Sequence, residues 1–161
     1  MYSLITLNIS NFFQYALINN RLEDEGPRIL VVDDEKDILR IIKRDLESSF
    51  VDNDISSQDK FAVETYSNAE DALKAVESHP ANYYDLVLTD IRMPKMNGFE
   101  LYRRIKEKNS SLKIAFITAF EINQEEFSKV LPSIDVKDFI IKPIGMSNLK
   151  MKLKSMIQKS A

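Results

Sequence analysis

At 161 residues the chain has room for one sizeable core and little more, so a single main domain is expected. A net charge of -3 excludes the basic character of a general nucleic-acid binder, and no direct contact with nucleic acid is expected. The absence of cysteine excludes a disulfide framework, thiolate metal sites and cysteine nucleophiles, and it fits a reducing, cytoplasmic setting.

Residues 1–26 read as an N-terminal extension. Ile5, Leu7 and Ile9 alternate like a strand, whereas Phe12, Phe13, Ala16 and Leu17 have helical spacing, so a short extended piece leads into one amphipathic helix. No Lys or Arg precedes Arg21, and Asn8, Ser10, Asn11 and Gln14 interrupt the apolar positions, which argues against both a secretory signal and a membrane span. The plain reading is an appendage packed on the domain or partly disordered; the sharper one is a helix for self-association or partner docking. Glu23-Asp24-Glu25-Gly26-Pro27 looks like the boundary, which sets the main domain at 27–161.

From Arg28 the pattern becomes regular. Ile29–Val32 predicts a buried strand ending in Asp33-Asp34-Glu35, after which Ile38, Leu39, Ile42 and Leu46 mark one face of a helix. Val51–Lys60 is a polar, acidic loop longer than a compact connection needs. Phe61–Tyr66 alternates as a second strand, and Ser67 with Glu70 forms a capping-box pattern before Ala69, Ala72, Leu73 and Val76. His79-Pro80 reads as a surface loop rather than a catalytic element. Leu86–Leu88 is a third strand, buried on both faces, which delivers Asp90 at its carboxyl end before the punctuation of Pro94 and Asn97-Gly98. Leu101, Tyr102 and Ile105 give a third helix, and Ile114–Ile117 gives a fourth strand ending at Thr118-Ala119. Asn123 with Glu126 repeats a capping pattern before Phe127, Val130 and Leu131. Phe139–Ile141 is a fifth strand running into Lys142-Pro143, and Leu149, Leu153, Met156 and Ile157 line a fifth helix. Strands alternating with helices in this way predict an α/β fold, a parallel sheet covered on both faces with right-handed crossovers.

In such a sheet ligands collect outside the carboxyl ends of the strands. Four predicted strands end in reactive or polar side chains: Asp33 and Asp34, Asp90, Thr118 and Lys142. Singly each has an ordinary explanation, as a helix cap, a capping hydroxyl or a solvated terminus. Together they suggest one site. Three crowded carboxylates repel one another and raise their pKa values unless a cation neutralises them, and an incomplete cage of hard oxygens suits Mg²⁺ that keeps several waters. A nucleophilic carboxylate, a lysine charge and a threonine donor then match the needs of a tetrahedral phosphoryl group.

Val31-Val32-Asp33-Asp34-Glu35, Leu88-Thr89-Asp90-Ile91-Arg92-Met93-Pro94 with Asn97-Gly98, Thr118-Ala119 and Phe139-Ile140-Ile141-Lys142-Pro143 resemble the receiver domain of two-component response regulators. The resemblance spans about Arg28 to Lys159 and implies a flavodoxin-like five-stranded sheet of order 2-1-3-4-5 with five helices. It implies that Asp90 accepts a phosphoryl group from a sensor histidine kinase or phosphotransfer protein, and that the resulting acyl phosphate is later hydrolysed. Such a domain catalyses its own phosphorylation and dephosphorylation without a separate enzymatic domain. Asp34 and Asp90 would bind Mg²⁺ directly, Asp33 through water, and the backbone carbonyl of Arg92 would complete the protein ligands. Lys142 would pair with a phosphoryl oxygen. Thr118 and Phe139 would form the switch, the first moving to another phosphoryl oxygen and the second following inward. The face of fourth helix, fifth strand and fifth helix would then meet a downstream protein partner or a second copy of the chain.

Arg92 and Phe120 occupy positions that in this family tune the lifetime of the phosphoryl group, and Val136-Lys137-Asp138 stands where a Gly-Ala pair is usual. With the fifth helix reaching the C-terminus, no effector domain is expected after it, which favours a stand-alone receiver. The alternative is the receiver fragment of a longer DNA-binding transcription factor or enzyme; a metal-dependent phosphohydrolase is a weaker third reading.

Overall fold

The computed structural model describes residues 26–48, 60–119 and 138–158. Strands β1 (Arg28–Val32), β2 (Ala62–Tyr66), β3 (Leu86–Asp90), β4 (Lys113–Thr118) and β5 (Phe139–Ile141) form one parallel sheet in the order β2-β1-β3-β4-β5. The described helices are α1 (Lys36–Glu47), α2 (Ala69–Ser78), α3 (Gly98–Lys108) and α4 (Met146–Gln158), the last being the fifth helix of the sequence reading. The expected N-terminal strand and helix, most of the acidic loop, the helix expected around Asn123–Leu131, and Phe120, Val136 and Lys137 lie outside the described residues. No described helix is long and apolar enough to cross a membrane.

Alternation within the strands divides the core between two layers. Leu30, Val32, Val87 and Phe116 pack with Ala72, Leu73, Leu101 and Ile105 of α2 and α3. Ile29, Val31, Leu88, Ile117 and Ile140 pack with Leu39, Ile42 and Leu46 of α1 and with Leu149 and Leu153 of α4. Each fully buried aliphatic or aromatic side chain contributes roughly 1.5–3 kcal/mol of transfer free energy, which makes these two layers the main support of the sheet. Both edges of the sheet are blunted by lysines. Lys43 of α1 donates to the carbonyl of Val63 on β2, and Lys152 of α4 donates to that of Phe139 on β5 at 2.9 Å, occupying acceptors that an added strand would need.

Two local expectations shift. The cap of α2 is Asn68, not Ser67: its Oδ1 accepts the Asp71 N–H at 2.8 Å, and its Nδ2 donates to Asp71 Oδ2 at 2.9 Å. The overlapping pair one residue later wins because Asn caps at least as well as Ser, and its amide can also return a bond to Asp71. His79 does lie in the loop just after α2, as expected, but it is held there rather than open to solvent. It is the C-terminal cap residue of α2, half-buried, with Nδ1 2.8 Å from the Ala75 carbonyl and its ring stacked on Tyr83 at 3.8 Å.

Candidate functional site

The sheet register brings the carboxyl ends of β1, β3, β4 and β5 to one edge. Asp33 follows β1 and is 1% exposed. Its Oδ1 accepts the Glu35 N–H at 2.9 Å, and its Oδ2 accepts from Lys142 Nζ at 2.9 Å. Asp33 is therefore not the cap of α1; Glu35 holds that position, and the Asp33 carboxylate turns the chain toward it. Asp90 ends β3 with Oδ2 accepting the Arg92 N–H at 2.8 Å and Oδ1 3.5 Å from the same Lys142 Nζ. One ammonium thus lies between the two carboxylates. Lys142 is anchored where β5 ends, its N–H donating to the Thr118 carbonyl at 2.7 Å. Thr118 is buried at the end of β4, while Asp34 and Arg92 are exposed at the rim.

The electrostatics of the cluster favour added positive charge. Burial pushes the Asp90 carboxyl above its usual range; Lys142 opposes this, the Asp33 charge reinforces it, and the Arg92 N–H opposes it. Burial draws the Lys142 ammonium down, but the hydrogen bond and charge of Asp33, with Asp90, more than offset that and leave its pKa raised. Asp33, Asp34 and Asp90 together outnumber this one local lysine. Among the described residues no three acidic or imidazole groups gather as ligands around one point. Mg²⁺ does not require them, since it binds through one or two carboxylates and keeps several waters. Two hard carboxylates whose shared cation leaves one of them reluctant to ionise therefore fit a divalent ion.

The loop after Asp90 is fixed by close contacts. Asn97 caps α3 by accepting the Glu100 N–H at 2.9 Å, and Gly98 donates its N–H to the Ile91 carbonyl at 2.9 Å. A Cβ on Gly98 would stand 2.2 Å from the Asp90 carbonyl oxygen. Lys95 takes a positive φ of 66°, and the Met96 N–H reaches back to the Pro94 carbonyl at 2.8 Å, closing a γ-turn of the strained kind. An open groove of about 540 Å³ beside this loop, lined by Glu70, Lys95, Glu100 and Arg104, shares no residue with the carboxylate cluster.

Phe139 already lies inward, 7% exposed, stacked on Phe116 at a centroid distance of 5.1 Å and edge-on to Phe99 at 6.5 Å. Thr118 and Phe139, the two residues expected to form a switch, are thus both interior. The sequence reading missed Thr89, whose buried hydroxyl donates to the Asp90 carbonyl at 2.9 Å. Its signal was a hydroxyl within an otherwise apolar run.

A parallel sheet of this order, with helices on both faces, is a flavodoxin-like fold of the CheY kind, and here acidic and lysine side chains stand at its carboxyl edge. The profile of the response regulator receiver domain matches residues 29–154, and the chain belongs to that family. It is 31% identical over 134 residues to the alkaline phosphatase synthesis transcriptional regulatory protein PhoP of Bacillus subtilis, covering 83% of this chain and 49% of that one. It is also 31% identical over 133 residues to the response regulator ArlR of Staphylococcus saprophyticus, covering 82% of this chain and 53% of that one. The chain spans about half the length of these curated relatives. A receiver domain protein from Clostridium thermocellum superimposes with a TM-score of 0.66 at 26% identity over 83% of this chain and 95% of that one. A CheY-like receiver from Methanospirillum hungatei gives 0.66 and 26% over 83% and 94%. The chain is therefore a receiver domain of two-component signalling, a class whose members typically need Mg²⁺ and work with a cognate histidine kinase.

Proposed function

We propose that residues 27–161 form a receiver that takes a phosphoryl group onto Asp90, with residues 1–26 as an extension. The observation that carries this reading is the Lys142 ammonium held between Asp33 at 2.9 Å and Asp90 at 3.5 Å, while the Arg92 N–H fixes the other Asp90 oxygen. Oδ1 attacks the phosphorus of a phosphohistidine in line; its O–P bond forms as the P–N bond breaks, and the imidazole leaves with the electron pair. Lys142 then pairs with a phosphoryl oxygen, and the Thr118 hydroxyl turns to donate to another. Asp34, Asp90 and the Arg92 carbonyl would hold Mg²⁺, with Asp33 acting through water. The ion would neutralise charge on the transferring oxygens. Water attack on phosphorus later breaks the acyl phosphate, returning the carboxylate and inorganic phosphate.

The output face proposed is that of β5 and α4 together with the stretch around 123–131, open to a downstream protein or a second copy. Exposed Ile141 (47%) and Met151 (62%) support it. Because Phe139 is already inward, the switch begins at Thr118. A second reading, the receiver portion of a longer regulator, is supported by the length and names of the curated relatives.

Intact-mass measurement after incubation with Mg²⁺ and acetyl phosphate tests the first reading. One phosphoryl group is expected on the wild type and none on Asp90→Asn. A gain that persists in Asp90→Asn overturns the assignment.

A further inference from the structure

Thr89 lies in β3 one residue before Asp90 and is 0% exposed. Val87 belongs to the α2–α3 layer and Leu88 to the α1–α4 layer, so alternation turns Thr89 toward the former and Asp90 toward the latter. A valine would fill this interior position without a hydroxyl to satisfy, whereas a buried hydroxyl is costly unless it is bonded. Its bond goes to the carbonyl oxygen of the residue whose carboxylate would react, at 2.9 Å.

That carbonyl is confined from another side as well. Gly98 approaches so closely that a Cβ there would lie 2.2 Å from it, and the Gly98 N–H holds the next carbonyl, Ile91, at 2.9 Å. Fixing the Asp90 carbonyl fixes the plane of the peptide that follows. That plane sets where Arg92 begins, and the Arg92 N–H orients Asp90 Oδ2 at 2.8 Å. With Oδ2 fixed, Oδ1 faces Lys142.

We propose that Thr89 is a positioning residue for phosphoryl acceptance: its buried hydroxyl clamps the Asp90 carbonyl and, through the Arg92 N–H, aims the Asp90 carboxylate. The proposal rests on the reading of Asp90 as acceptor and goes beyond it by assigning a hydroxyl on the far face of the strand. Its effect is geometric. A displacement of the order of 1 Å at a reacting group can lower a rate by roughly 100-fold, and a partial loss of aim is expected to cost about 10-fold.

The test compares Thr89→Val, which keeps the branched shape and loses the hydroxyl, with Thr89→Ser, which keeps the hydroxyl and loses the methyl. In metal-free protein, hydrogen exchange of the Arg92 amide should quicken in Thr89→Val and return toward wild type in Thr89→Ser. With saturating Mg²⁺ and acetyl phosphate, Thr89→Val should accept phosphoryl about 10-fold more slowly and Thr89→Ser within about 2-fold of wild type. Urea unfolding should rank the two variants the other way, since the serine leaves a methyl-sized void. A role in packing alone predicts that rate follows stability. The proposal is overturned if Thr89→Val matches wild type in both exchange and rate, or if Thr89→Ser is as slow as Thr89→Val. If the wild type gains no phosphoryl group, the acceptor reading fails instead, and the Arg92 exchange still decides whether Thr89 is the clamp.

Discussion

Gly98→Ala would test whether close backbone packing aims the acceptor strand. The added Cβ would lie 2.2 Å from the Asp90 carbonyl oxygen, 3.1 Å from its carbon and 3.1 Å from Ile91 Cα, where ordinary contact begins at 3.4 Å. All three atoms are backbone, so no side chain can swing away to relieve the contact. Either α3 backs off or the end of β3 is displaced by about 1 Å, and overpacking of this kind costs about 1–3 kcal/mol. Alanine recovers part of this, up to roughly 0.5–1 kcal/mol, through its lower conformational entropy loss in a helix. The net expectation is destabilisation by about 1–2 kcal/mol, a fall in Tm of roughly 2–8 °C for a chain of this size. Gly145→Ala is the matched control, because a Cβ there meets nothing within 4 Å, and its effect should stay inside about 0.5 kcal/mol. Urea unfolding followed by circular dichroism measures both, and acetyl phosphate kinetics report whether Asp90 has lost its aim. Equal stabilities for the two variants, with Gly98→Ala phosphorylated at the wild-type rate, would refute the reasoning.

Two further outcomes follow from the same geometry. Asn68→Ala should cost about 1 kcal/mol near neutral pH, because it removes the α2 cap. The Asn68 hydrogen bond is the first cause holding the Asp71 carboxyl below its usual range, followed by Lys74, so the Asp71 contribution is present above the unfolded-state pKa. It is lost as pH falls through the folded one, and the difference between variant and wild type in urea unfolding should shrink below about pH 4. Asp90→Asn should stabilise the metal-free protein at pH 7, since burial raises that carboxyl and its ionised form weakens the folded state. The sign is opposite to that of a paired carboxylate: the gain is full above the raised folded pKa and disappears as pH drops below the unfolded value near 3.9. A gain in Tm that is independent of pH would mean that charge is not its source.

The fold was legible because its strands are short apolar runs bounded by Asp, Pro and Gly, while its helices carry spaced apolar faces such as Leu39, Ile42 and Leu46. Asp33, Asp90, Thr118 and Lys142 were legible because each directly ends or follows a strand, and a parallel sheet brings such ends together. Asp34 is different: its neighbour Asp33 takes the buried place, and sequence order alone does not say which of two adjacent acids turns inward. The α2 cap slipped by one residue because Ser67 and Asn68 are adjacent and both are strong N-cap residues, so the Ser67-x-x-Glu70 pattern alone does not decide between them. The inward packing of Phe139 depends on Phe99 and Phe116, which belong to separate elements, so no local period announces it. Nor does anything about lysine forecast a positive φ at Lys95; that conformation is imposed by the short return from Asp90 to the start of α3.

The proposed switch has an upper bound set by what changes at Thr118. In the unmodified protein its carbonyl already holds the Lys142 N–H at 2.7 Å, so the ends of β4 and β5 are tied through the backbone before any reaction. Phe139 is already buried, and Lys152 of α4 already holds its carbonyl. In this reading phosphoryl transfer adds chiefly a charged acceptor for the Thr118 hydroxyl and a further anionic partner for Lys142. A hydrogen bond to a charged group contributes roughly 1.5–3 kcal/mol, which limits the Thr118 share of any population shift to about 10–150-fold. The lysine adds less, because its ammonium already lies 2.9 Å from Asp33 and 3.5 Å from Asp90. A receiver arranged this way separates two jobs. In the proposed mechanism Asp33, Asp90 and Lys142 would govern whether the phosphoryl group is accepted, while the tie from Thr118 to β5 and α4 would govern how far its arrival is felt.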